Sequence, residues 1–228
     1  MKQLLQFLGE LKEHNEREWF QANKQRYRET RATFEAFTGK LIDRVTAFDP
    51  GIAGASVKEC VFRVYRDTRF SPDKRPYKTH AGAFITRGGK NMPRGGYYLH
   101  VEPGNSLLAG GIWCPDAALL RALRRDVYDN IEEFLSIIRD PAFALHYALD
   151  DGYMLKRVPY PFPPDDPAAA WTRYKSYTAA RFIPDALFEA ADAVEQCADM
   201  LRPLYPFNQF LNYTVDESTR DEEYPAGL

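Results

Sequence analysis

The chain reads as an α+β protein, with an antiparallel sheet of about four or more strands packed against N- and C-terminal helices. Three observations predict it. Apolar residues recur at three- and four-residue spacing up to Phe48 and again beyond Pro115. Between Val57 and Trp113 the pattern changes to runs rich in aromatic and β-branched residues. Two of those runs are joined by Glu102-Pro103-Gly104-Asn105, too short for a parallel crossover and suited to a hairpin.

Leu4, Leu5, Phe7, Leu8 and Leu11 form the stripe of an amphipathic helix ending near His14. Asn15 followed by Glu18 fits a capping pair, and it opens a longer helical stretch from Trp19 that closes at the turn Asp49-Pro50-Gly51. Strands are expected at Cys60 to Arg66, His80 to Thr86, Tyr97 to Val101 and Leu107 to Trp113. One helix is expected from Pro115 to Arg139 and a short one from Ala142 to Leu149. Val158 to Pro167 holds too many prolines for regular structure and reads as a stiff connector. Helical patterns resume at Pro167 to Tyr177 and Pro184 to Leu201. The expected organisation is one α+β domain over 1–215 and a frayed charged tail over 216–228.

Hydrophobic residues make up 45% and charged residues 27% of the 228, which excludes a disordered or low-complexity chain. The net charge of -2 argues against a nucleic-acid coat protein, so nucleic acid is not the expected partner. Cys60, Cys114 and Cys197 are odd in number and far apart, which leaves no disulfide framework and suits a reducing, cytoplasmic compartment. No apolar run is long enough to span a membrane. The charge is uneven: residues 1–94 carry 19 Lys and Arg against 11 Asp and Glu, and residues 95–228 carry 11 against 21. Attraction between the two halves is one reading of this imbalance.

Within the basic half lies Arg63-Val-Tyr-Arg-Asp-Thr-Arg-Phe-Ser-Pro-Asp-Lys-Arg-Pro-Tyr-Lys78, with six basic residues and two aspartates. Guanidinium groups on a fixed loop bind phosphate or carboxylate bidentately, and lysines add point charges. Arg63, Tyr65, Arg66, Arg69, Lys74, Tyr77 and Lys78 are therefore the candidate ligand-binding residues, for a small anionic ligand. The competing reading is internal: Asp67 and Asp73 pair with these cations and lock the loop.

The same segment, as Arg63-x-Tyr-Arg-Asp-Thr-Arg-Phe-Ser-x-Asp-Lys-x-Pro-Tyr-Lys78, resembles the signature of the family catalogued as domain of unknown function 2461. The likeness covers Phe7-Leu8 and Leu11, Asn15 to Phe20, Asn23-Lys24 and Tyr27. It continues in Gly96 to Glu102, Gly110-Gly111-Ile112, Leu155-Lys156-Arg157, Pro159, Lys175 and Pro203-Leu204, nearly the whole chain. The resemblance implies no reaction, cofactor or catalytic residue.

Strand alternation puts Tyr98, His100 and Glu102 on one face and Tyr97, Leu99 and Val101 on the other. Such a row supplies the parts of acid-base catalysis, and His80 begins a neighbouring expected strand. Asp67, His80 and His100 are the candidate acids and bases of a hydrolase or transferase, the alternative to simple binding. No helical His-Glu-x-x-His occurs, and neither a metal nor a cofactor is expected. Gly110-Gly111 suggests a bulge or a close approach, the loop from Gly88 to Gly96 a mobile hairpin or lid, and Trp19, Phe20 and Tyr27 core.

Overall fold

Residues 1–223 are described by the structure, a computed structural model, with side chains described through Ser218. In chain order the elements are helices α1 (Lys2–Glu13), α2 (Arg17–Ala22), α3 (Lys24–Thr46) and α4 (Val57–Cys60), then strands β1 (Ala81–Ile85), β2 (Gly96–Val101) and β3 (Leu107–Ile112). There follow α5 (Ala117–Asp129), α6 (Ile131–Ile138), α7 (Pro141–Ala144), β4 (Ala148–Leu149), β5 (Tyr177–Phe182), α8 (Ala193–Leu201) and α9 (Tyr205–Glu223). The five strands form one antiparallel sheet in the order β1-β2-β3-β5-β4, so the fold is α+β as the pattern predicts.

The chain divides into two compact units: Met1–Asn91 with Tyr98–Leu108 and Phe182–Arg202, and Met92–Tyr97 with Ala109–Arg181 and the chain from Pro203. In the first, α3 packs on α1 and α8 through Phe34, Leu41 and Val45, all shielded from water. The α1 stripe Phe7 and Leu11 joins Phe20, Val64 and Tyr77 in a buried cluster, with Trp19 and Tyr27 against it. The Phe20 and Tyr77 rings lie 4.0 Å apart and nearly parallel, in keeping with the attraction of offset aromatic faces. In the second unit, α9 packs on α5 and α6, and Phe134 is ringed by Trp171, Tyr177, Phe207 and Phe210.

Two asparagines of α9 act as backbone partners in that second unit. Asn208 donates to Gly96 O (3.0 Å) and accepts from Gly111 N (2.9 Å). Asn212 accepts from Gly95 N (2.8 Å) and donates to Gly95 O (3.2 Å). Gly111 has φ +107° and a Cβ there would lie 2.0 Å from Tyr177 O, so the expected close approach is one of backbone to backbone.

Several boundaries differ from the sequence reading, each for a local reason. No strand runs from Cys60 to Arg66. Ser56 caps the short helix α4, its Oγ accepting from Glu59 N (3.3 Å) and donating to the Glu59 carboxylate (2.6 Å). After it the chain makes only single bridges, Val61 to Ala83 and Tyr65 to Tyr77. Asn15 does not cap α2, whose N-cap is Glu16, and the long helix from Trp19 is broken at Asn23. The helix expected from Pro115 breaks at Asn130, which leaves helical geometry (φ -113°, ψ 39°) to become both C-cap of α5 and N-cap of α6.

The helix expected at Ala142 to Leu149 is one turn followed by β4. From Pro167 to Arg173 the chain is 3₁₀, and Pro184 to Leu201 divides into a 3₁₀ turn and α8. The unexpected β5 pairs antiparallel with β4, Ala179 opposite Leu149. The expected frayed tail overlaps α9 up to Glu223, and its remainder lies outside the described residues.

Candidate functional site

The basic segment is a closed loop on an extended base, all within the first unit. Lys78 N donates to Val64 O (2.8 Å) and Arg66 N to Pro76 O (3.0 Å), which pairs the two ends around the Tyr65–Tyr77 bridge. Asn15 fastens that base. Its Nδ2 donates to Tyr77 O (3.0 Å) and its Oδ1 accepts from Tyr77 N (3.1 Å), so one amide satisfies both polar groups of a buried backbone unit.

Inside the loop most cations are already engaged. Asp67 accepts from Arg69 N (3.2 Å), Nε (3.0 Å) and Nη2 (2.7 Å). The Arg69 hydrogen bonds pull the Asp67 carboxyl down to about 2, so this exposed group stays ionised and is a poor proton acceptor. Asp73 is held by Arg75 and Arg66, and these bonds likewise lower its pKa. Lys74 Nζ donates to Thr68 O (2.9 Å). Phe70, at the tip, is 94% exposed. Arg66, Arg69 and Lys74 thus stabilise the loop from within.

Arg63 and Lys78 are different. Among the described residues neither side chain makes a hydrogen bond or an ion pair. Lys78 lies partly buried, its ammonium 5.0 Å from the Phe62 ring centroid. Burial, reinforced by the positive charge of Arg63, lowers the Lys78 pKa. Two unpaired cations close enough to perturb one another leave a local excess of positive charge that an anion would neutralise. Tyr65 is half exposed beside them and Tyr77 is buried in the aromatic cluster.

The second group of candidates sits alongside. On β2, Tyr98, His100 and Glu102 share a face, as the alternation predicts. Tyr98 Oη lies 2.9 Å from His100 Nδ1, and His100 Nε2 lies 3.3 Å from Glu102 Oε2. Burial raises the Tyr98 pKa to about 12; the ionised Glu102 carboxylate can only accept, which puts the imidazole proton on Nε2 and leaves Nδ1 to accept from the Tyr98 hydroxyl. Burial lowers the His100 pKa against the opposing pull of Glu102, and the ring stays neutral at pH 7. Burial acts to raise the Glu102 pKa, but bonds from Asn105 Nδ2 (2.9 Å), His100 and Thr79 Oγ1 (3.0 Å) outweigh it and keep the carboxylate ionised.

His80 stacks on His100 with ring centroids 4.3 Å apart. Its pKa is pushed down to about 4 by burial first, then by His100 and the charges of Lys78 and Arg66. Lys78, Arg66, His80, His100 and Glu102 are therefore electrostatic neighbours, whereas Arg69 and Lys74 are exposed and bond to Asp67 and Thr68 within the loop. Thr79, Asn105 and Phe62, which hold the row and underlie Lys78, were not singled out from sequence. Thr79 and Phe62 flank the named residues on extended chain, and Asn105 lies in a turn whose side-chain reach is invisible in a linear pattern.

The loop from Gly88 to Gly96 is tied on each side. Lys90 Nζ donates to Glu59 O (2.8 Å), and Arg94 pairs with Asp216. Cys60 and Cys197 are buried; Cys114 is exposed just beyond β3 with φ 47°. Among the described residues no group of three or more His, Cys, Asp or Glu is placed to hold a metal ion. No described helix is long and apolar enough to cross a membrane.

A family model described as conserved hypothetical protein, DUF2461, matches residues 3–210. The chain belongs to this family. No curated protein and no solved structure matches it. The DUF2461 match spans both the loop from Arg63 to Lys78 and the His80–His100 pair, so both lie inside the region that defines the family.

Proposed function

We propose that this DUF2461 chain binds a small anion, phosphate or carboxylate, at Lys78 and Arg63 beside the stacked His80 and His100. The observation that supports this reading is the partly buried Lys78 ammonium with no carboxylate on it among the described residues, set against Arg63. A desolvated cation is costly unless paired, and an incoming anion supplies the missing partner. Arg66, Arg69 and Lys74, paired within the loop, shape the site and do not hold the ligand directly.

Calorimetric titration with inorganic phosphate and with acetate tests the reading on the wild-type chain, Lys78→Met, Arg63→Met and Arg69→Ala. Binding is expected in wild type and Arg69→Ala, and loss of about tenfold or more in either of the first two variants, since a charge-assisted hydrogen bond contributes about 1.5–3 kcal/mol. Absence of binding by wild type, or equal binding by Lys78→Met, overturns it.

A second reading is favoured by one observation, the Tyr98–His100–Glu102 chain. An oriented neutral imidazole backed by a carboxylate is the arrangement of a general base. Under this reading the chain is a hydrolase or transferase acting on the bound anion, with His80 or His100 moving the proton and Asp67, held by Arg69, taking no part. A pH-dependent turnover lost in His100→Ala supports it, and turnover indifferent to that change removes it.

A further inference from the structure

Phe62, over whose ring the Lys78 ammonium lies, also lines a narrow cleft together with Phe7, Leu8, Val64, His80 and Ala81. Its space is about 30 Å³, room for about two or three water-sized groups. The lining is apolar apart from three residues, Tyr27, Arg31 and His80. Arg31 is already committed, donating to Glu35 (2.7 Å) and to Tyr27 Oη (3.2 Å). His80 has no hydrogen bond among the described residues and stacks on His100.

We infer that the ligand is a short-chain carboxylate, its two- or three-carbon apolar body in this cleft and its carboxylate at the mouth, between His80 and the Lys78 ammonium. The inference rests on the anion-binding reading above and narrows it. A bare anion would leave the apolar walls empty, and a neutral chain would leave Lys78 unpaired. An amphipathic molecule of this size satisfies both, with a neutral His80 free to donate one ring N–H to a carboxylate oxygen. The volume of the cleft sets the limit on length, at about three carbons.

The test is an NMR chemical-shift titration of the full chain with acetate, propanoate, butanoate, hexanoate, butanamide and inorganic phosphate, repeated on Ala81→Leu. Each methylene that enters the cleft is expected to tighten binding about fourfold, through butanoate, with hexanoate no tighter and butanamide at least tenfold weaker. Leucine at position 81 is expected to flatten the series while acetate still binds. If phosphate and acetate bind but affinity is flat with chain length in the wild type, this inference is wrong and the anion site stands. If butanamide matches butanoate, the carboxylate assignment is wrong. If none of the anions binds, the underlying reading fails and this one with it.

Discussion

Replacing Asn15 by alanine removes both hydrogen bonds to Tyr77 while leaving the α1–α2 connection free to keep its course. Tyr77 is 3% exposed, so its N–H and C=O gain no water in exchange. An orphaned buried donor costs about 1–3 kcal/mol and a lost neutral bond about 0.5–1.5 kcal/mol. Together they set an expected loss of about 2–4 kcal/mol. For a chain of this size each kcal/mol moves the Tm by about 2–4 °C, so the expected shift is about 5–15 °C. Urea unfolding followed by far-UV circular dichroism measures it directly, with the slope checked for change. Asn15→Asp keeps an acceptor for Tyr77 N but turns a carboxylate toward Tyr77 O, and it is expected to destabilise to a similar degree. An Asn15→Ala chain within about 0.5 kcal/mol of wild type would refute the clamp and with it the account of how the basic loop is seated.

Three further outcomes are expected. His80 is held neutral by a lowered pKa, so the unfolded state binds more protons between about pH 6.5 and about 4 and stability falls as pH drops through that window. The fall attributable to His80 is of order 2–3 kcal/mol, and His80→Gln should remove most of it in urea titrations at pH 7 and pH 4.5. Asp67, lowered by Arg69, contributes stability that is present above the usual carboxylate pKa and is lost only as pH falls toward 2, outside that window. Gly111→Ala drives a methyl into Tyr177 O at a positive φ, and it should cost at least about 3 kcal/mol or prevent soluble expression. Arg69→Ala breaks only an exposed pair, 77% exposed on the arginine side, and such pairs contribute little, so its Tm should fall by no more than about 4 °C; a larger drop would show that the loop depends on that pair.

The polar row on β2 was legible because alternation in a paired strand is a geometric rule, and Tyr98, His100 and Glu102 obey it. The basic segment was legible as a cluster, yet composition alone could not sort its cations. Asp67 pairs with Arg69 two residues away, and Asp73 reaches Arg75 and Arg66, so the surplus falls on Arg63 and Lys78 at the loop ends. That division depends on which side chains meet once the loop closes.

The misread strand at Cys60 carried its own correction in Ser56-Val-Lys-Glu59, a capping pattern outweighed by the β-branched residues that follow. β5 was hidden because Ala179 and Ala180 have little strand preference and are ordered by pairing with β4. Asn15 and Glu18 matched a helix-start pattern, but the Asn15 amide found a more distant partner, 62 residues along the chain. Side-chain bonds across such separations leave no trace in local spacing.

The asparagines of α9 also limit how this chain can vary in length. Asn208 and Asn212 stand one helical turn apart and grip Gly95, Gly96 and Gly111 like teeth on a rack. One residue inserted between Pro203 and Asn208 would turn both amides about 100° around the helix axis and strand four backbone bonds at once. A deletion would do the same in the other sense. Insertions acquired by relatives of this protein should therefore avoid this stretch, so that the spacing from Pro203 to Asn212 stays fixed.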